Sequence, residues 1–165
     1  MGGQVLSPAE LQRAAGQEIG LSDWIEISQA RIDAFADVTG DWQFIHLDPV
    51  RAAATPFGGT VAHGFLTLSM LSAMSYDALP AIDGMSASVN YGFDRLRFIA
   101  PVRSGAHVRG RFVLEDAEAR ADGSLMARLA VTVEIDGAAI GGGTPGRVAP
   151  RLREIYIEES LKTAV

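Results

Sequence analysis

The chain has 165 residues, enough for one domain with a substantial core and too few for two ordinary ones. With 48% hydrophobic and 21% charged residues it has the composition of a soluble globular protein, and no apolar run reaches the ~20 residues of a membrane-crossing helix. The absence of cysteine excludes disulfides, thiolate metal sites and cysteine nucleophiles, three histidines disfavour structural zinc, and a formal charge of −6 speaks against nucleic acid, which rewards clustered positive charge.

The N-terminus lacks the basic, apolar and small-residue blocks of a signal peptide, so a cytoplasmic protein is expected. Ser7-Pro8-Ala9-Glu10 has capping-box spacing with proline at the first helical position, which predicts a helix over residues 8–15 stopped by Gly16. Leu21 and then Trp24 to Ile27 suggest a short strand. Ser28 can cap a helix with Ala30, Ile32, Phe35 and Ala36 at helical spacing, ending near Thr39-Gly40. The stretch TGDWQFIHLD, from Thr39 to Asp48, suits neither a helix nor a strand. Asp48-Pro49 opens a brief helix through Ala54, and Pro56, Gly58 and Gly59 impose a loop.

From Gly64 to Tyr76 the chain carries no charge, so a helix there is expected to be central and buried on nearly every side. The remainder reads as strands. Leu125 to Ile135 is apolar at every odd position, Asp122-Gly123 before it signals a hairpin, and Val108, Phe112 and Leu114 mark the partner strand. Met85, Ala87, Val89, Tyr91 and Phe93 occupy odd positions but Leu96 and Phe98 even ones, which predicts a bulge or bend near Gly92. The layout is α+β, an antiparallel sheet wrapped around one apolar helix, and dimerisation would supply the cover that helix needs.

The runs TGDWQFIHLDP and VAHGFLTLSMLS resemble the active-site signature of the MaoC-like dehydratases, the hotdog-fold family of (R)-specific enoyl-CoA hydratases. That signature is Gly-Asp-x-Asn-Pro-aliphatic-His followed by Ala/Val-His-Gly opening the central helix; Gly40, Asp41, Ile45, His46, His63 and Gly64 keep it. Gln43 stands where Asn is usual and Phe44 where Pro is usual, which is similar to the NodN-like branch. The resemblance runs from Leu21 to Ile135. It implies a single hotdog domain over residues 1–140, followed by an atypical C-terminal segment, 141–165, whose Gly141 to Gly146 reads as a flexible connector. Leu152, Ile155 and Ile157 beyond it suit a strand or a helix.

Hydrating an α,β-unsaturated thioester requires a water activated for attack at C3, a proton for C2 and stabilisation of charge on the thioester oxygen. A carboxylate and an imidazole converging on one water supply the first two, and Asp41 and His46 fit those roles without a decision as to which handles which proton. The resemblance makes the Gly64 amide, at a helix N-terminus, the oxyanion donor and gives Ser72 a positioning role. It also implies a homodimer acting on an acyl-CoA thioester, with coenzyme A part of the substrate and no metal or redox cofactor.

Around that centre, Phe57 and Gly58 belong to a pocket-side loop, Gln43 and Phe44 flank the signature, and His63 shapes the start of the central helix. Arg95 and Arg97 read as a solvated strand face, or as contacts for the phosphates of coenzyme A. The rival readings are a hotdog thioesterase, weakened because Gly64 to Tyr76 contains no carboxylate, and an acyl-CoA binding module without catalysis.

Overall fold

The computed structural model describes residues 4–136 and the backbone of residues 155–164. The N-terminal strand β1 (Val5–Leu6) leads into α1 (Pro8–Arg13), whose capping box forms as expected: Ser7 Oγ accepts from the Glu10 N–H, and the Glu10 carboxylate accepts from the Ser7 N–H at 2.8 Å. The Ser7 hydroxyl also donates to that carboxylate at 2.7 Å, and this bond and the one from the amide hold the Glu10 carboxyl below its ordinary value. The helix ends at Arg13, short of residue 15, because Gly16 with φ 81° turns the chain so that its N–H donates to Leu114 O at 2.7 Å.

The strand expected between Leu21 and Ile27 is two pieces, β2 (Glu18–Leu21) and β3 (Ile25–Ile27), both antiparallel to β6 (Ala106–Ala119). Ser22 bridges the gap. Its N–H donates to Gly110 O and its Oγ accepts from the Gly110 N–H, each at 2.9 Å. Residue 110 is held to glycine by packing, since a Cβ there would lie 2.8 Å from the buried Phe112 ring.

The main sheet runs β2-β6-β7-β8-β5, with β5 spanning Ala87–Phe98, β7 Leu125–Asp136 and β8 Ile155–Ala164. A second, two-stranded sheet pairs β1 in parallel with β4 (Ala81–Ile82). The Asp122-Gly123 turn joins β6 to β7, with Phe112 opposite Val131, and the odd residues of β7 are buried as alternation predicts. The change of face near Gly92 is a bulge: the β5 register shifts between Asn90 and Gly92, and again between Phe93 and Arg95. Ile155 and Ile157 lie in β8, so the strand alternative holds for them; Leu152 and Gly141 to Gly146 fall outside the described residues.

The apolar stretch after Gly64 is not one helix buried all round. It breaks at Met70 into α5 (Gly64–Ser69) and α6 (Leu71–Ala78), and only Leu66, Thr67, Leu71 and Met74 are buried, whereas Phe65 is 63% and Tyr76 85% exposed. The reason is that the main sheet covers one side of these helices, and among the described residues the other side stays largely exposed. No helix among the described residues is long and apolar enough to cross a membrane.

On the side of the sheet away from these helices, Glu134 is a carboxylate only 1% exposed. Its oxygens accept from Arg109 Nε at 2.6 Å and Arg111 Nε at 2.8 Å, and the Arg109 guanidinium lies 4.4 Å from the centre of the Trp24 ring. Burial pushes the Glu134 carboxyl up, but hydrogen bonds from Arg109 and Arg111, with their charges, outweigh it and hold the group below its ordinary value of 4.5. A depressed carboxyl contributes stability that is present above its unfolded value and lost as pH falls through its folded one. Glu134→Gln is therefore expected to cost about 2 kcal/mol at neutral pH. In urea titrations at a series of pH values, the gap between variant and wild type should close as pH falls below 4.5; a gap that is constant with pH would contradict this assignment.

Candidate active site

The signature residues are placed by two helix ends and one turn. Helix α2 (Gln29–Thr39) starts on Ser28 and stops at Gly40, whose φ of 75° is a left-handed C-cap that a side chain would strain. Asp41 follows directly. The next residues form α3 (Phe44–Leu47), where the sequence suggested no regular structure; one turn is too short to leave a periodic signal, and it is held by the His46 N–H to Gln43 O at 3.0 Å and the Asp48 N–H to Phe44 O at 2.9 Å. Asp48 then caps α4 (Pro49–Ala53), accepting from the Arg51 N–H at 2.9 Å.

His46 is 7% exposed, and its Nδ1 lies 2.6 Å from Val61 O. A carbonyl can only accept, so Nδ1 carries the proton and Nε2 keeps a lone pair. His63 is 3% exposed, and by the same argument its Nε2–H donates to Asp41 O at 2.9 Å; its Nδ1 is buried with no hydrogen-bond partner among the described residues. The two rings stack with centroids 3.7 Å apart and planes 26° apart. The Asp41 side chain is exposed, and Oδ1 accepts from the Gln43 N–H at a long 3.4 Å. One donor atom from each of Asp41, His46 and His63 lies within 4.8 Å of the other two.

Three such groups suggest a cation, but the stacking argues otherwise. Rings this close to parallel keep their in-plane lone pairs in neighbouring planes, whereas two imidazoles bound to one metal must point their lone pairs at a single point. A small proton donor such as water is the better match to a carboxylate and an imidazole lone pair set side by side.

Beside this cluster is a cavity of about 280 Å³ lined by His46, Phe57, Gly64, Thr67, Phe98 and Val102, among others. Gly64 opens α5, so its N–H has no acceptor within that helix. A Cβ at this position would lie 3.0 Å from the Phe98 ring, so the absence of a side chain keeps the helix start and that ring in contact. The Arg103 guanidinium donates to Phe57 O and lies beside Gly58, pinning the loop that carries Phe57.

Of the residues singled out in the sequence, Asp41, His46 and His63 are thus clustered, with His46, Gly64 and Phe57 on the cavity wall. Gly58 is next to it. Gln43 is exposed at the start of α3, and Phe44 is half-buried outside the cavity lining, with the Arg51 guanidinium 4.2 Å from its ring centre. Arg95 and Arg97 are exposed on β5. Ser72 lines a separate cavity of about 390 Å³ with Ser75, Tyr76 and Leu79. Val61 escaped the sequence reading because it acts through its carbonyl, which every residue has. Phe98 reads in the sequence only as a strand residue, and nothing local tells that its ring will pack on the start of α5.

The family described as MaoC like domain matches residues 10–135. The chain belongs to this family. This MaoC-like chain is 53% identical over 132 residues to nodulation protein N of Rhizobium meliloti, covering 79% of this chain and 82% of that one. It is 44% identical over 133 residues to the 3-hydroxyacyl-thioester dehydratase Z of Mycobacterium tuberculosis, covering 81% and 87%. Among solved structures, the (R)-hydratase from A. caviae superposes with a TM-score of 0.66 at 25% identity, over 89% of this chain and 94% of that one. The architecture is the hotdog fold, an antiparallel sheet against central helices in an α+β domain.

Proposed function

We propose that the protein is an (R)-specific enoyl-CoA hydratase, and in reverse a 3-hydroxyacyl-CoA dehydratase, using Asp41 and His46 as its acid–base pair. The observation that carries this reading is the cluster in which one donor atom each of Asp41, His46 and His63 lies within 4.8 Å of the others, with His46 on the wall of the Gly64 cavity and its Nε2 lone pair left free by the bond from Nδ1 to Val61 O. The name of the 44% identical dehydratase supports it.

In the proposed reaction a water is held between Asp41, which accepts one of its hydrogens, and His46 Nε2, which takes the other. As that O–H bond breaks, the oxygen bonds to C3 and the C2=C3 electron pair shifts to give an enolate. The Gly64 N–H donates to the thioester oxygen as negative charge develops there. The proton on Nε2 then passes to C2, which leaves an intact thioester and a neutral imidazole. Both additions come from the side of the acyl chain that faces the pair, which fixes one enantiomer.

The thioesterase alternative needs a carboxylate on the central helix. The one that α6 carries, Asp77, sits near its far end, where Oδ2 accepts from the Asp23 N–H at 2.6 Å. That carboxylate is remote from Gly64 and already engaged.

A homodimer completes the reading. No described strand pairs with the free side of β5, and Val89, Tyr91, Phe93 and Phe98 along it are 40–63% exposed. Such an apolar edge favours pairing with another chain. Ser72 lies eight residues beyond Gly64, past the break at Met70, and keeps its assigned positioning role toward the reacting pair. Arg95 and Arg97, on the same strand, are assigned to the phosphates of coenzyme A.

The test couples the product formed from trans-2-enoyl-CoA substrates of several chain lengths to dehydrogenases specific for each 3-hydroxy enantiomer. Reduction of the nicotinamide only with the (R)-specific enzyme is the expected result. An (S)-product, or none at any chain length, would remove the assignment.

A further inference from the structure

The ring of His46 is fixed through a route that starts on another helix. Gln29, the first residue of α2, donates from Nε2 to His46 O at 2.8 Å and to Asp33 Oδ1 at 2.8 Å, while its Oε1 accepts from Thr60 Oγ1 at 2.6 Å. The His46 carbonyl can only accept, so the amide nitrogen must face it, which leaves the oxygen for Thr60. Both hydrogens and the oxygen of the carboxamide are thereby used. Thr60 is 7% exposed and immediately precedes Val61, whose carbonyl accepts from His46 Nδ1–H.

These contacts close a circuit: Gln29 to the His46 backbone, through the imidazole to Val61 O, along the chain to Thr60, and back to Gln29. Together with the Val61 N–H, which donates to Ile45 O of α3 at 3.0 Å, it holds the backbone of His46 and the carbonyl that sets its tautomer at one separation. If the Thr60–Val61 segment moved away from α3, Nδ1 would lose its acceptor, and the proton would be free to occupy either nitrogen. The lone pair would then no longer be confined to the Nε2 side of the ring.

We propose that Gln29 is a positioning residue for His46, clamping α3 to the Thr60–Val61 segment so that the imidazole presents Nε2 as its basic atom. Its catalytic consequence rests on the hydratase reading; the clamp itself does not. Gln29→Leu keeps the approximate size and removes all three bonds. It is expected to lower kcat by roughly 10- to 10²-fold, the cost of a small misplacement of a reacting group, while KM changes little because Gln29 is not on the cavity wall.

A second readout does not depend on turnover. Long-range proton–nitrogen spectra of the neutral His46 ring should report a single Nδ1–H tautomer in the wild type and a mixture in Gln29→Leu. Should Gln29→Leu fail to fold, Thr60→Val carries the same test, since it removes only the hydroxyl that donates to Gln29 Oε1. A folded variant with an unchanged His46 spectrum would overturn the clamp even if the wild type hydrates enoyl thioesters. A mixed tautomer would sustain the clamp even if the wild type did not.

Discussion

Asp41→Asn should lower kcat for enoyl-CoA hydration by ~10²- to 10⁴-fold, the range of general acid–base assistance, with little change in melting temperature. The substitution is nearly isosteric, the Asp41 side chain is exposed, and its contact with the Gln43 N–H, at 3.4 Å, is weak, so the fold loses little. What is lost is the charge that orients the water in the proposed reaction. The backbone carbonyl of Asp41 still accepts from His63, so the stacked imidazoles should stay in place. His46→Gln should cost a similar factor, and the double variant little more than either single one, because two groups acting on one water are not independent. Steady-state kinetics on folded variants checks both statements; additive losses would separate the two residues into different steps.

The second large effect concerns assembly. Tyr91 stands in the β5 bulge and is 63% exposed, next to Val89 and Phe93 on the free edge of the sheet. A carboxylate buried there in a subunit contact would have no partner, so Tyr91→Glu should weaken a dimer by about 3 kcal/mol or more, ~10²-fold in Kd. Light scattering should give two chains for the wild type and one for the variant. A fully dimeric and fully active Tyr91→Glu protein would place the subunit contact elsewhere.

The parts of this structure that were legible in the sequence are those with local causes. Ser7, Ser28 and Asp48 announce helix starts because an exposed N–H must find an acceptor within a few residues, and each does. Gly40 and Asp122-Gly123 announce turns for reasons internal to the backbone. The shift of apolar parity across Gly92 predicted a bulge because a period of two cannot change face without an extra residue.

What was not legible depends on distant partners. The absence of charge from Gly64 to Tyr76 predicts burial on nearly every side with further cover from a second copy, and in the single chain Phe65 and Tyr76 face outward. An apolar pattern records all the cover a segment ever receives, without saying which chain provides it. In the site itself, the spacing of Asp41, His46 and Gly64 was readable, but neither the stacking of His46 on His63 nor the acceptor that selects Nε2 leaves a trace in residue type. Gln29 likewise reads as an ordinary first-turn residue until Thr60, far along the chain, is seen to meet it.

The most direct measurement is the fate of solvent oxygen. Crotonyl-CoA incubated with the wild-type protein in heavy-oxygen water and analysed by mass spectrometry should give 3-hydroxybutyryl-CoA with one labelled oxygen at C3 and an intact thioester, and Asp41→Asn should give almost none. Label found in a free carboxylate, with coenzyme A released, would contradict the account and make the protein a thioesterase.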